Sequence, residues 1–123
     1  MTHRAFRHSI AVGIAVLVLA CGGASAIRSA KSDFKSGRVA DAKEKLVALE
    51  PESASWSGAR RAEYVLYRGL VHHSLGDREA AARWLGEAKA IEEQHPHTLS
   101  EDDRVRMHLA LDALGSGTST AAQ

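Results

Sequence analysis

Apolar residues recur along much of the chain at the three- and four-residue spacing of amphipathic helices. Ala42, Leu46 and Leu49 fall on one helical face in this way. The spacing is clearest after Gly76, where Asp77 can cap a helix whose apolar stripe runs through Ala80, Ala81, Trp84, Leu85, Ala88 and Ile91. The pattern therefore predicts helices and no strands.

Glycine and proline divide this pattern into five predicted helices. Four of them cover about residues 24–36, 39–50, 57–75 and 101–114, and the fourth in chain order starts after Gly76, with its pattern broken by Pro96. The third is apolar nearly all round, which is typical of a central helix. The fifth has Ser100 as a predicted N-cap, with acidic residues in its first turn. Residues 115–123 are small and polar, and we expect them to be disordered.

Composition supports an all-α fold, because strong helix formers are abundant and aromatic residues make up only 5% of the chain. One cysteine excludes an intramolecular disulfide and a cysteine-rich metal site. The domain must therefore be held together by packing.

The N-terminus has the pattern of a targeting segment. Residues 2–8 carry positive charge, and residues 10–20 form an apolar run. Eleven residues at about 1.5 Å each are too short for a membrane span. Val18-Leu19-Ala20-Cys21 resembles the bacterial lipobox, which implies cleavage before Cys21 and acylation of that residue. The resemblance predicts a signal peptide over 1–20, a lipidated tether over 21–23 and a domain over 24–114.

A second cleavage site competes with the first. Ala24-Ser25-Ala26 satisfies the small-x-small rule of ordinary signal peptidase, and cleavage there would release a soluble secreted or periplasmic protein beginning at Ile27. The lipoprotein interpretation is preferred because the only cysteine stands where acylation requires it. Gly22 after the cysteine resembles the sorting pattern for the outer membrane, which implies anchoring at its periplasmic face.

Two stretches resemble the tetratricopeptide repeat in their spacing of small residues. They are Gly69-x6-Gly76-x4-Ala81-x3-Leu85-x2-Ala88 and Ala30-x6-Gly37-x4-Ala42-x3-Leu46. The resemblance implies a short α-solenoid of about two helical hairpins plus a C-terminal capping helix. Arg68 and Leu49 depart from the family's pattern, which leaves a plain helical bundle open.

The resemblance also implies a groove that binds another envelope protein, or a second copy in a homodimer. Its predicted lining is Ala24, Ile27, Lys31, Phe34, Lys35, Glu63, Leu66, Leu70, His73 and Ser74. Leu66 and Leu70 fit a central core equally well. Lys31 and Lys35 would suit an acidic partner.

Other functional classes have weaker support. His72, His73, His95, His97 and His108 suggest an alternative metal-binding protein, but their spacing does not predict three or four converging ligands, so we expect no metal or cofactor. No catalytic motif is present, and we expect no enzyme activity. Without Arg4 and Arg7 the net charge is −1, which argues against binding of nucleic acid.

Overall fold

In a computed structural model, residues 17–121 are described, with side chains for residues 23–117. This part of the chain is helical throughout and contains no strand, which confirms the all-α prediction. Residues 1–16, which include the predicted basic segment, lie outside the described residues, as does the side chain of Cys21. The helices are α1 (Leu17–Lys35), α2 (Val39–Ala48), α3 (Glu50–Ser53), α4 (Gly58–Ser74), α5 (Arg78–Gln94) and α6 (Glu101–Ala121).

Two helical hairpins, α1–α2 and α4–α5, turn at the predicted glycines. Gly37 and Gly76 have φ angles of 84° and 82°, a conformation that glycine adopts without steric cost. Both turns close with the hydrogen bonds of a Schellman motif. In the second turn, Gly76 donates to the His73 carbonyl at 3.1 Å and Asp77 donates to the His72 carbonyl at 2.9 Å. The predicted turns are confirmed.

The helices of the second hairpin approach each other closely at Gly69. A Cβ atom placed on Gly69 would lie 2.6 Å from Leu85 Cγ and 3.0 Å from the Leu85 backbone nitrogen. Ala81 and Ala88 are fully buried nearby. A small residue at position 69 is thus required by the distance between α4 and α5, as the spacing predicted.

Helix α4 lies at the centre of the core, as its apolar pattern predicted. It packs against α1, α2, α5 and α6, and every residue from 64 to 72 is buried. The Tyr64 ring makes edge-to-face contacts with Trp56 at 5.5 Å and with Trp84 at 6.1 Å between centroids. Aromatic packing therefore joins the start of α4 to α5.

Helix α1 differs from the prediction at its N-terminus. It already includes residues 17–23, and Gly23 is buried against Trp56. The predicted tether, residues 21–23, thus lies within helix α1. Gly23 fits against the Trp56 ring because it has no side chain.

Two further boundaries also differ. Helix α6 continues to Ala121, past the predicted end at Leu114, because glycine in a helix costs only about 1 kcal/mol and does not forbid it. Arg78 Nη2 donates to the Leu114 carbonyl at 2.5 Å.

Pro51 was predicted to end the second helix, but it also lies in the first turn of the short helix α3, where its missing N–H costs nothing.

Candidate functional site

Helices α1, α4 and α6 together form one face of the molecule, which we call the open face. At its centre, Lys31 Nζ on α1 lies 2.5 Å from Glu63 Oε1 on α4 and 3.6 Å from Asp103 Oδ2 on α6. The Tyr67 hydroxyl on α4 donates to Asp103 Oδ1 at 2.7 Å. Lys31 also lies 5.2 Å from the centre of the Tyr67 ring. This network joins all three helices.

The pKa values of Lys31 and Tyr67 are shifted by burial and by the carboxylates that pair with them. Burial opposes protonation of Lys31, but the Glu63 and Asp103 carboxylates outweigh that effect and raise the pKa of Lys31. Burial, together with the hydrogen bond to Asp103, raises the pKa of the Tyr67 hydroxyl far above its ordinary value. At neutral pH the network therefore holds a charged lysine and a neutral tyrosine.

Beyond this network the open face has a depression of about 250 Å³. Its apolar lining comes from Phe34 on α1, Leu70 on α4 and Leu109 on α6. Leu109 is 64% exposed, the highest exposure among the large apolar side chains described. His73 and Arg106 contribute polar edges. Such a combination of an apolar floor and a polar rim is typical of a surface that contacts another protein.

The structure places the predicted groove residues in several different surroundings. Lys31 and Glu63 meet directly, and Phe34, Leu70, His73 and Ser74 line the depression. Lys35 is exposed on α1. Ala24 and Ile27 line a second depression, between α1 and α4, together with Lys31 and Glu63, although Ile27 is only 3% exposed. Leu66, at 0% exposure, belongs to the core. Leu70, at 4%, contributes only the floor.

Three residues of α6 were missed by the sequence analysis. Asp103 completes the central network, and Arg106 and Leu109 line the depression. Helix α6 had been interpreted only as a cap for the repeat. Val105 and Leu109, four residues apart and both more than half exposed, are a signal in the sequence for a second apolar stripe on this helix.

A separate buried polar cluster lies between α2, α4 and α5. Arg68 stacks on the Trp84 ring at 4.6 Å, and its Nη1 atom lies 3.4 Å from Glu50 Oε2. One turn later, His72 is buried without a hydrogen-bond partner on either ring nitrogen. Burial, and then the nearby Arg68 guanidinium, lower the pKa of His72. The arginine that departs from the repeat pattern is thus accommodated by an aromatic face.

The loop after α5 is held by Glu92. Its carboxylate accepts the backbone N–H groups of His97 at 2.7 Å and Leu99 at 2.9 Å. Burial raises the pKa of Glu92, but these two donors and Arg104 outweigh it and lower the pKa. His97 has a φ of 67°, and its Nδ1 lies 2.7 Å from Arg104 Nη1. These contacts account for Glu92 as a structural residue.

The histidines that the structure describes were the basis of the alternative metal-binding prediction. No group of three or more histidine, cysteine, aspartate or glutamate side chains among the described residues is arranged to hold a metal ion.

Comparison with protein-family models, with curated proteins and with solved structures found no match. None of the helices described is long and apolar enough to cross a membrane.

Proposed function

We propose that this chain is a lipid-anchored envelope adaptor, held at the periplasmic face of the outer membrane through Cys21, that binds another envelope protein with its open face. The anchor rests on the lipobox resemblance of residues 18–21. The apolar depression on the open face carries the binding part of the proposal, because Leu109 exposes most of its side chain there.

The packing of α1 supports cleavage before Cys21. Gly23 is buried, and Ala26 packs against the core. Cleavage after Ala26 would remove both residues and uncover the Trp56 ring, which lies against the backbone at Gly23. Cleavage before Cys21 keeps both of these residues. The physical cost of the second cleavage site therefore favours the lipidated form.

The anchor is tested by the intact mass of the mature protein extracted from membranes, measured beside a Cys21→Ala variant. We expect a triacylated chain that begins at Cys21 in the wild type and is absent in the variant. An unmodified chain beginning at Ile27 would refute the lipid anchor and indicate the soluble secreted form.

Partner binding is tested by in vivo cross-linking of the full chain in envelopes, followed by identification of the retained protein. Leu109→Glu places a charge in the depression at an exposed site, so the fold should be kept. Val47→Glu makes the same change on α2, where Val47 is 41% exposed, and is the matched control. Leu66→Glu is unsuitable because a charge at that buried site would unfold the protein.

We expect one protein to be retained by the wild type and by Val47→Glu, and to be lost from Leu109→Glu. Equal retention by both variants would refute the open face as the binding surface. Retention of a second copy of this chain alone would replace the adaptor with a homodimer.

A further inference from the structure

The helices α1 and α4 run parallel, and their N-terminal ends lie at one end of the molecule. Contacts in register show this: Gly23 meets Trp56, Lys31 meets Glu63, and Phe34 meets Tyr67 at 5.7 Å between ring centroids. We call this end, with Gly23, Arg28, Trp56 and Arg60, the anchor end. Cys21 precedes Gly23 by two residues, which is about 3 Å along a helix axis. An acyl chain on Cys21 therefore leaves the protein at the anchor end.

Trp56 is fixed at this point of the surface. A Cβ atom on Gly23 would lie 2.8 Å from Trp56 Cζ2, so the indole ring lies directly on the backbone of α1. The Tyr64 ring contacts it edge to face at 5.5 Å. The remainder of the ring is accessible, since Trp56 is only half-buried. A rigid, half-exposed indole has the amphipathic character that favours the boundary between lipid and water.

The charges beside Trp56 suit anionic headgroups. Arg60 Cζ lies 5.7 Å from the centre of the indole ring, and Arg28 and Arg60 are both exposed beside a depression of about 290 Å³ between α1 and α4. The carboxylate in this depression, Glu63, is paired with Lys31. Glu52 on α3 is exposed four residues before Trp56 and offsets part of the positive charge.

The N-terminus of α4 also favours anionic headgroups. Its first turn carries no acidic residue, and Ser57 at the N-cap position makes no side-chain capping bond. The partial positive charge of a helix N-terminus is therefore left open at the anchor end. By contrast, α5 is capped by Asp77 and α6 begins with three acidic residues.

From this arrangement we infer that the anchor end rests on the membrane surface, with Trp56 at the lipid–water boundary and Arg28 and Arg60 against the phosphates of anionic headgroups. The inference rests on the proposed lipid anchor at Cys21. It also orients the protein, because the apolar depression of the open face lies near the opposite ends of α1 and α4, away from the bilayer.

The test uses the full acylated chain, purified from membranes with Trp84→Phe, so that Trp56 is the only tryptophan of the original two. The protein is reconstituted into vesicles of phosphatidylethanolamine and phosphatidylglycerol, with and without bromine on the acyl chains near the headgroup. We expect brominated lipid to quench Trp56 emission strongly. Trp56→Phe is the matched control, because the remaining Trp84 is only 7% exposed and should keep its emission.

The charge contribution is tested with Arg28→Gln/Arg60→Gln, compared with the double control Lys43→Gln/Lys89→Gln. In one population of molecules Trp56 contacts lipid, and in the other it is exposed to water. For each arginine lost, we expect the ratio of the first population to the second to fall by up to about fivefold. The control should match the parent protein. Vesicles in which phosphatidylcholine replaces phosphatidylglycerol should reproduce the loss.

The outcomes separate the two proposals. Unquenched Trp56 in a protein whose mass shows the acyl groups would overturn this inference and leave the anchor intact. Absence of acyl groups would overturn the anchor itself. Quenching that stays the same in the arginine variant and in vesicles without phosphatidylglycerol would overturn the headgroup contact. If Trp84→Phe does not fold, the difference in quenching between the wild type and Trp56→Phe measures Trp56 directly.

Discussion

The two hairpins have the same kind of turn but differ in the side chains packed between their helices. Each closes at a glycine with positive φ, and each has a small residue on both facing helices. The second hairpin buries Tyr64, Tyr67 and Trp84 along 17-residue helices, whereas α2 has ten residues and α1–α2 adds no buried aromatic. The repeated small residues thus set how closely helices approach, while the residues outside the repeat pattern supply most of the buried area.

The first hairpin depends instead on charges near its turn. Asp33, which is buried, pairs with Arg38 at 2.8 Å and with Lys45 at 2.5 Å. Hydrogen bonds from Lys45 and Arg38 lower the pKa of Asp33. The first hairpin is therefore held partly by ion pairs close to its turn, whereas the second relies more on its buried aromatic packing.

The largest effect on stability is expected at Gly69, where the two helices of the second hairpin approach most closely. Gly69→Val places a branched side chain where even a Cβ atom meets Leu85, and we expect a loss of about 3 kcal/mol in the free energy of unfolding. Gly86→Ala on α5 is the control, since nothing lies within 4 Å of its Cβ position, and it should stabilise by about 1 kcal/mol. Urea unfolding measures both, and an unchanged midpoint for Gly69→Val would refute the close approach.

The next effect compares the two tyrosines that join α4 to other helices. Tyr67→Phe leaves the buried Asp103 carboxylate without its 2.7 Å donor and should cost about 2 kcal/mol. Tyr64→Phe removes a bond to the neutral Leu46 carbonyl at 2.8 Å and a longer one accepted from Arg68 Nη1 at 3.3 Å. Because Arg68 keeps its contacts with Glu50 and Trp84, the expected cost is about 1 kcal/mol. Thermal unfolding monitored by circular dichroism gives the order, and a larger loss for Tyr64→Phe would contradict the importance of the charged acceptor.

A smaller effect compares the starts of α5 and α2. Asp77 caps α5 by accepting the Ala80 N–H at 3.2 Å, and Asp77→Ala should cost about 1 kcal/mol. Arg38 occupies the corresponding position of α2 without a side-chain cap, but it pairs with the buried Asp33 at 2.8 Å, so Arg38→Ala should weaken that ion pair without removing a cap. Hydrogen exchange of the first-turn amides distinguishes them: exchange should accelerate in α5 for Asp77→Ala and change little in α2 for Arg38→Ala.

The smallest effect is a dependence on pH within the second hairpin. His72 is buried beside Arg68 on its own helix, faces Lys43 and Arg83 from α2 and α5, and lies 3.5 Å from Asp77 Oδ2. Because the folded pKa is lowered, the unfolded chain binds the proton more readily below the ordinary value of 6.5. His72 therefore costs no stability above about pH 6.5, and stability falls as the pH drops toward the folded pKa.

This dependence is measured as the free energy of unfolding between pH 5 and 8. His72→Leu should remove part of the loss on the acid side, and the same substitution at the exposed His108 is the control for removing one ionisable group. An identical acid loss in the wild type and in His72→Leu would show that His72 does not titrate in this range.

Much of the fold was determined by local sequence. Glycine at positions 37 and 76 adopts a conformation that other residues avoid, and Asp77 and Ser100 cap the helices that follow them. The periodicity also identified α4 as central. These predictions succeeded because each depends on residues within one or two turns of each other.

Tertiary structure decided which side chains are exposed, and therefore what the open face contains. Leu66 and Leu109 are both leucines at helical spacing, yet one is fully buried in α4 and the other is 64% exposed on α6. The number of helices packed around each position makes this difference, and the apolar pattern of α4 indicated a central helix without showing which of its leucines would be covered. The pairing of Lys31 with Asp103, 72 residues later in the chain, and the contact of Trp56 with Gly23 likewise arise only when distant helices pack together.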